Sequence, residues 1–459
     1  MGAQHDVIIL GGGISGLVTG AICARAGLRV LLVEKSDQLG GRTRYTRVGG
    51  FHIPPGPRAF PRESLDTAFE RAGIEAPVFQ SGKYRFFDSV TGEERPFLQD
   101  HEERAERKAR YHLTDTDLDE LEGAIGNMDP DTWQAKSMAQ WMEGQGFSAR
   151  LRRLMSASLL WATDMALTPE TVSMDRFSMG PFALFIGVVN WIENVSDPRV
   201  TDAFAAAITR QGGEIRLSTE AERIVVTGGA ARGVVLRDLH GGDASFETAP
   251  RVVSCIPFPQ LVAGGVLSSD LLPPEWTKAA APSDRCGGGY VTNWYALREP
   301  VIEGKNSTYV FAEDPETAAL TVNTTIIGPF SNRIPDVAPP GKQLVFAIAK
   351  IAPHEREDWP ALLRKIDETH ARTATYFKAR RYPELDRVTE FRAIRIHHAT
   401  WGQQNWSIYA DKLPTMSPPG IENLHLVGGS TRADPGTFGF NSAVISGLHC
   451  AAALTGGSS

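Results

Sequence analysis

The sequence predicts an α/β protein (α+β overall), in which a Rossmann-type domain is combined with a second domain of antiparallel sheet plus helices. Two observations carry this prediction. A buried strand, a glycine-rich loop, a helix and a second strand follow one another within residues 6–34, which is the order of a parallel βαβ unit. Residues 286–350 instead alternate apolar and polar side chains with β-branched runs, a pattern typical of antiparallel strands.

Length and composition exclude several classes of protein. At 459 residues the chain exceeds one ordinary core, so two or three domains are expected. The formal net charge is −7 and no long basic run occurs, which argues against a nucleic-acid partner. The four cysteines are far apart and form no CxxC pair. We therefore expect no disulfide framework and no metal site, with a cytoplasmic location as the default.

One apolar run raises the question of membrane contact. Residues 177–192 carry no charge, but the run is shorter than the ~20 residues of a spanning helix. A buried helix or cavity wall is the favoured interpretation, and a lipid-facing lip for an apolar substrate is the alternative. Membrane contact is thus expected only as a peripheral surface.

The first βαβ unit indicates dinucleotide binding. Its strand, helix and second strand are predicted at residues 6–10, 15–26 and 29–33. Gly11 allows a tight turn, Gly13 lets the backbone approach a pyrophosphate, and Gly16 lets helix and strand pack closely. Glu34, at the end of the second strand, can accept both hydroxyl hydrogens of an unphosphorylated adenosine ribose. The predicted binding residues of this unit are Gly11, Gly13, Ile14, Ser15, Gly16, Glu34 and Lys35.

A second glycine turn follows at once, in the segment LGGRT at residues 39–43. This segment resembles the GG-doublet motif of the flavoprotein superfamily that holds monoamine oxidases, phytoene desaturases and protoporphyrinogen oxidases. The resemblance implies FAD as the cofactor, with Gly41 and Arg42 beside it. Small residues let the backbone come close to the longer dinucleotide, and an arginine offsets phosphate charge.

The segment VGGFHIPPGPR, residues 48–58, resembles the strand and turn that reach the flavin ring in this superfamily. The resemblance implies that Gly56, Pro57 and Arg58 lie near the flavin. Pro54 and Pro55 stand in the region where the superfamily usually has an aspartate. Arg58 is a candidate for a contact with the flavin or with a substrate carboxylate, and a structural ion pair is the alternative.

The C-terminal segment resembles the closing part of the same superfamily. Residues 423–430 read as a strand that enters a glycine turn, and the resemblance implies that Gly429 and Ser430 lie near the pyrophosphate. A helix follows, with Asn441 as its predicted N-cap. The resemblance further implies that Gly439, Phe440 and Asn441 bring the N-terminus of this helix to the flavin, where its dipole stabilises negative charge.

The middle of the chain resembles the return into the nucleotide domain. Residues 212–226 contain Ile224, at the position whose backbone touches adenine in the superfamily, and residues 251–257 resemble the strand that closes the domain. The resemblance therefore predicts a discontinuous FAD-binding domain made of residues 1–75, 205–265 and 415–459. The substrate-binding domain is expected to comprise residues 76–204 and 266–414, with a helical part at about 100–200.

The catalytic residues are less well defined by the sequence. No lysine occurs between Ala279 and Gly304, where amine oxidases carry one on the central substrate strand, and Gly439 stands where their cage tyrosine would lie. Both departures favour a desaturase or dehydrogenase. His397 and His398 are candidate bases, although histidines that serve only in packing are the commoner case. Trp401, Trp406 and Tyr409 are candidates for the wall of the substrate cavity.

These observations together predict an FAD-dependent oxidoreductase that moves hydride from a mostly apolar small-molecule substrate to flavin N5. Dioxygen or another electron acceptor would reoxidise the flavin. An amine or amino-acid oxidase is the alternative. A non-catalytic lipid carrier related to the Rab GDP-dissociation inhibitors, and a redox-neutral isomerase, are further alternatives.

Overall fold

The computed structural model describes residues 4–54, 59–60, 63–77, 84–87, 92, 94–96, 114–126, 136–149, 151–152, 155–156, 159, 168–177, 192–193, 198–280, 288–310, 325–334, 336–398, 413–432, 434, 437 and 439–456. Among the helices of these ranges, none combines the length and apolar character that crossing a bilayer requires.

The described strands, in chain order, are β1 Val7–Leu10, β2 Val30–Val33, β3 Thr46–Val48, β4 Phe51–Ile53, β5 Ala59–Phe60, β6 Tyr84–Phe87, β7 Glu94–Pro96, β8 Ile192–Glu193, β9 Glu214–Arg216, β10 Thr219–Thr227, β11 Ala230–Asp238, β12 Ala244–Thr248, β13 Val252–Ser254, β14 Gly289–Leu297, β15 Ser307–Val310, β16 Thr325–Pro329, β17 Gln343–Ile351, β18 Thr389–His398 and β19 Leu424–Leu426. The described α-helices are α1 Ile14–Arg25, α2 Glu63–Ala72, α3 Asp115–Gly126, α4 Met138–Gly144, α5 Met174–Phe177, α6 Pro198–Arg210, α7 Phe258–Ala263, α8 Pro274–Ala280, α9 Trp359–Ala379, α10 Leu385–Val388 and α11 Gly439–Thr455.

Five parallel strands form the sheet that carries the glycine loop, in the order β19-β13-β1-β2-β9. The central strands are entirely apolar and buried on both faces, as parallel strands require. Helices α1, α2, α6 and α11 pack on one face through a core that includes Leu17, Phe69, Phe204 and Val444. The antiparallel sheet β10-β11-β12 packs on the other face. The predicted Rossmann-type βαβ unit is confirmed, with α1 starting one residue earlier than expected.

A seven-stranded sheet forms the second layer system, in the order β18-β14-β17-β16-β15-β6-β7. Its pairs are antiparallel except for β15 with β6. The parallel pair was not expected; the long stretch of chain between β6 and β15 permits the crossover connection that a parallel pair needs. Helix α9 covers one face, and its N-terminus is capped by Asp358, whose carboxylate accepts the Ala361 N–H at 3.1 Å. The antiparallel sheet plus helix predicted for this part is present.

The domain boundaries stay a prediction. The five parallel strands all lie within residues 1–75, 205–265 and 415–459, and the seven strands of the second sheet lie within residues 76–204 and 266–414. The described part of residues 100–200 contains α3, α4, α5 and the first turn of α6, together with the short strand β8. Most of the uncharged run at residues 177–192 lies outside the described residues.

Candidate dinucleotide-binding crevice

The first glycine loop leaves β1 and enters α1 with its backbone uncovered. Gly11 has φ +105° and its N–H donates to the Val33 carbonyl at 2.8 Å, so the turn folds back over the neighbouring strand. A Cβ atom on Gly13 would meet nothing within 4 Å. Gly13 also gives α1 no side-chain cap, and the first N–H groups of a helix have no partner within the helix. The loop therefore offers an approach for an anionic group.

Gly16 has a different role, in packing. A Cβ atom there would lie 2.2 Å from the Gly11 carbonyl oxygen and 2.9 Å from Cys255 Sγ. No side chain fits at such distances, so helix and strand approach as closely as the sequence predicted. Burial raises the pKa of the Cys255 thiol to about 12, which leaves this neighbour of the loop neutral and unreactive at physiological pH.

The second glycine turn lies directly against the first. The Gly40 N–H donates to the Gly12 carbonyl at 2.8 Å, and Gly40 and Gly41 both have positive φ angles. A Cβ atom on Gly41 would lie 3.4 Å from Gly13 Cα. Arg42 follows in a 3-10 turn, where it is exposed, as is Lys35. The two glycine turns thus form one continuous strip of backbone.

Glu34 is held at the floor of this strip. Its side chain is buried, with one oxygen accepting the Gly12 N–H at 2.8 Å. The other oxygen accepts the Ser36 N–H at 3.0 Å and the Ser36 hydroxyl at 2.8 Å. A carboxylate offers about four acceptor positions, so three are already used. One ribose hydroxyl can bind directly, and the second hydroxyl expected from the sequence would require Ser36 to release its oxygen.

Ser36 is a residue that the sequence reasoning missed. It lies two positions after Glu34, and short polar side chains commonly bond to groups two residues away. A serine at this spacing after a strand-end acid is the signal that could have identified it.

The C-terminal glycine turn meets α1 from the other side. A Cβ atom on Gly428 would lie 3.5 Å from Ser15 Oγ, and the Gly428 N–H donates to Ser446 Oγ at 2.9 Å. Gly429 is buried in the same turn. The Ser430 hydroxyl accepts the Phe258 N–H at 2.9 Å. The turn lies where the sequence predicted, but Gly428 makes the close approach to α1 and Ser430 is engaged with the protein.

Helix α11 crosses α1 beside this turn. A Cβ atom on Gly447 would lie 2.8 Å from the Ser15 carbonyl oxygen. Thr19 Oγ1 donates to the Ser15 carbonyl at 2.8 Å, and it also lies 3.2 Å from the Gly447 carbonyl oxygen. Because eight residues separate Gly447 from Gly439, the N-terminus of α11 lies roughly 12 Å along the helix from this crossing. That separation suits an extended ligand.

The prediction of Asn441 as the N-cap of this helix is wrong. Helix α11 begins two residues earlier, at Gly439, and the Asn441 side chain instead accepts a hydrogen bond from the Ser64 hydroxyl of α2. The side chain therefore ties two helices together. Phe440 is buried in the core that α11 shares with α1.

Ile224 lies in β10 with its backbone partly engaged. Its N–H donates to the Val266 carbonyl at 2.7 Å, and its side chain is buried among apolar neighbours that include Phe258. The same strand begins at Thr219, whose N–H donates to the Glu34 carbonyl at 3.0 Å. The strand is therefore adjacent to the predicted ribose site, but the Ile224 N–H is not free for a ligand.

The two candidate histidines end β18. His397 stacks on Tyr290 with ring centroids 4.7 Å apart, whereas Ile396 packs against the cluster that faces α9. His397 and Ile396 therefore lie on opposite faces of the sheet. His398 is a strand residue, but its side chain is not described. Six further predicted site residues lie outside the described residues: Gly56, Pro57, Arg58, Trp401, Trp406 and Tyr409.

Lys350 and Tyr290 were also missed from the sequence. They lie directly opposite each other on β17 and β14, and Lys350 Nζ is 5.6 Å from the centroid of the Tyr290 ring. Lys350 is the one charged residue of the β17 segment QLVFAIAKI, and this was the available signal. The lysine that β14 lacks is thus found on the neighbouring strand.

Comparison with known proteins agrees with the flavoprotein superfamily that the sequence motifs indicated. The model of the family described as flavin-containing amine oxidoreductase matches residues 14–455. A 4,4'-diapophytoene desaturase of Methylomonas sp is 23% identical over 415 residues, which are 80% of this chain and 78% of that protein.

Solved structures show the same fold. An oxidoreductase from Methanosarcina mazei superposes with a TM-score of 0.68 at 18% identity, over 96% of this chain and 99% of that one. Putrescine oxidase bound to putrescine superposes with a TM-score of 0.62 at 17% identity, over 98% of this chain and 99% of that one.

Proposed function

The chain belongs to the family of flavin-containing amine oxidoreductases, and from this premise we propose that it oxidises a mostly apolar small molecule as a dehydrogenase or desaturase. It is an FAD-dependent oxidoreductase. The finer assignment concerns the substrate and the bond that is oxidised. Because the family is one of oxidoreductases, the lipid-carrier alternative is not favoured.

The crevice suits FAD by its shape. The observation that carries the cofactor assignment is the open approach at Gly13, beside the buried carboxylate of Glu34 and beside Gly41, on which a Cβ atom would lie 3.4 Å from Gly13 Cα. Backbone N–H groups at the start of α1 would hold the pyrophosphate, and Glu34 would accept from the ribose. The N-terminus of α11 would stabilise negative charge at the far end of the cofactor.

When bound, FAD would supply the two-electron acceptor for the hydride, with dioxygen or another acceptor to reoxidise it. The chain itself contributes binding, orientation and the exclusion of water. The apolar core around Trp294, Phe330 and Phe346 packs the seven-stranded sheet against the β3–β4 hairpin.

The desaturase or dehydrogenase assignment is favoured over an amine oxidase by the residues of β14. That strand presents Thr292 between Tyr290 and Trp294 on one face, and no lysine. A relative that aligns with most of this chain is a desaturase. An amine or amino-acid oxidase remains the second candidate, because the family description covers amine oxidation.

The cytoplasm remains the proposed compartment, and the described cysteines Cys23, Cys255 and Cys450 are free thiols.

An anaerobic screen of the FAD-loaded protein tests this proposal. Unsaturated or cyclic hydrocarbons and matched amines are mixed with the protein, and bleaching of the flavin absorbance is followed. We expect bleaching by apolar substrates with an oxidisable carbon–carbon or ring bond. Bleaching by simple amines alone would favour the amine or amino-acid oxidase. Conversion of a substrate without net bleaching would identify an isomerase.

A further inference from the structure

We propose that one face of the seven-stranded sheet binds a carboxylate group carried by the substrate. This face, called the Tyr290 face, is defined by the side chains of Tyr290, Thr292, Lys350, Arg395 and His397. The inference rests on the proposed function, which it deepens by naming the chemical class of the substrate. The substrate is then a mostly apolar molecule with one acidic end.

The Tyr290 face lies on the side of the sheet that the glycine strip reaches. The chain leaves the second glycine turn at Thr43, and Tyr45 already packs against the cluster that contains Tyr290 and Trp294. Phe51 and Ile53 of β4 belong to the same cluster. The hairpin that follows the cofactor loop therefore connects the loop to this face.

The opposite face is closed. Leu362 and Ile366 of α9 pack against Val291 and Ile351 there. On the Tyr290 face itself, Phe51 and Phe330 pack over Trp294, so we place the substrate at the Tyr290 end of this face.

Strand register gathers the polar side chains of this face into two adjacent rows. Tyr290 lies opposite Lys350 on one side and opposite His397 on the other. Arg395 lies opposite Thr292 in the next row. Side chains directly opposite on neighbouring antiparallel strands have Cβ atoms about 4.5–5.5 Å apart. Two cations, two hydroxyl groups and an imidazole are therefore concentrated over a small area.

The side chains of the Tyr290 face supply hydrogen-bond donors, so they suit a ligand group that accepts hydrogen bonds. Lysine and arginine carry donors and no acceptor, and Lys350 is only 7% exposed, where its charge is little screened. Thr292 is 0% exposed, and within the described part of the chain its hydroxyl has no hydrogen-bond partner. Each of these three side chains can donate a hydrogen bond to a carboxylate. An ammonium group would meet like charges from Lys350 and Arg395, so this face selects against a cationic amine.

The test uses three probes with one apolar body: phenylacetate, phenylacetamide and 2-phenylethylamine. Their binding to the FAD-loaded full-length protein is measured by isothermal titration calorimetry near pH 7.5. We expect phenylacetate to bind roughly tenfold or more tightly than the other two, as one charge-assisted hydrogen bond implies. Equal binding of the three probes, tighter binding of the amine, or no binding of phenylacetate would overturn the inference.

Variants locate the binding site. Thr292→Val keeps the side-chain volume and removes only the hydroxyl, while Lys350→Met and Arg395→Met remove the charges. Each should weaken phenylacetate binding by roughly tenfold and leave phenylacetamide binding within about twofold. Arg392→Met is the matched control, because Arg392 is exposed on the same strand but on the other face. A loss for Arg392→Met as large as for the three variants would contradict the inference.

The two levels of the proposal fail separately. Heating the same preparations releases FAD, and its amount measures cofactor binding independently of the substrate. If no FAD were released, the proposed function would be contradicted. A preparation that contains FAD but binds 2-phenylethylamine more tightly than phenylacetate would contradict only the proposed carboxylate site. If the two charge variants fail to fold, Thr292→Val still tests the site by itself. Unchanged phenylacetate binding in Thr292→Val would contradict the proposed site.

Discussion

Gly41 and Gly13 belong to separate turns that meet backbone to backbone: a Cβ atom on Gly41 would lie 3.4 Å from the Cα of Gly13. The Gly40 N–H donates to the Gly12 carbonyl and fixes this meeting. The close contact explains why the chain builds two glycine turns within 30 residues of each other. One turn alone would approach a pyrophosphate, and the two together border a strip along which a longer dinucleotide can extend.

Glu34→Ala should weaken FAD binding by roughly tenfold to a hundredfold, the range expected for a hydrogen bond to a charged group. The variant removes the acceptor of the ribose and also frees the Gly12 N–H, which Glu34 now accepts at 2.8 Å. Equilibrium titration of the apoprotein with FAD measures the effect. Asp37→Ala, an exposed acid in the same turn, is the control, and equal affinities for the two variants would show that the ribose site is misplaced.

Ser36→Ala should lower FAD affinity by a smaller factor, about threefold to tenfold. The serine hydroxyl holds one oxygen of Glu34 at 2.8 Å, so its loss lets the carboxylate rotate away from the ribose. Fluorescence titration with FAD measures the change, and Ser36→Thr should restore most of the affinity because it keeps the hydroxyl. An unaltered dissociation constant in Ser36→Ala would mean that the backbone N–H groups of Gly12 and Ser36 position Glu34 without the hydroxyl.

Gly447→Ala should destabilise the fold by about 1–3 kcal/mol, as overpacking of a close contact does. The added methyl group would lie 2.8 Å from the Ser15 carbonyl oxygen and push α11 away from α1. Urea denaturation of the apoprotein gives the free energy of unfolding.

The matched control for this helix crossing is Gly123→Ala in α3. A Cβ atom there meets nothing within 4 Å, so alanine should stabilise the helix by about 0.4–1 kcal/mol. Equal stabilities of the two variants would contradict the close crossing of α1 and α11.

His398→Ala should slow reduction of the flavin by about 10²-fold or more if the imidazole acts as a general base, while FAD affinity changes little. Stopped-flow measurement of the flavin absorbance under anaerobic conditions separates the two effects. His397→Ala is the comparison, since His397 stacks on Tyr290 and its loss should affect substrate binding more than the rate at saturation. A wild-type rate in His398→Ala would remove that residue from the catalytic candidates.

The sequence predicted the parts of the crevice that depend on local spacing. The glycines at 11, 13 and 16, the acid at the end of β2 and the apolar strands all follow from residues close in the chain. It did not predict features that depend on distant pairing. Ser64 is 377 residues from Asn441, and that contact explains why the asparagine is not a cap.

The Tyr290 face is a second example of the same limit. Lys350 and His397 meet Tyr290 because β17 and β18 pair with β14 in one register, and no local pattern reveals which strands become neighbours. A register shifted by one residue would turn these side chains to the other face.

The most direct test of the account is the affinity of Gly13→Ala for FAD. The backbone of Gly13, at φ −72° and ψ 172°, is open to alanine, and the added Cβ would contact no protein atom within 4 Å. The apoprotein should therefore keep its melting temperature, while FAD binding falls by roughly tenfold or more because the methyl group occupies the approach of the pyrophosphate. Wild-type affinity in this folded variant would contradict the claim that the dinucleotide lies across the meeting of the two glycine turns.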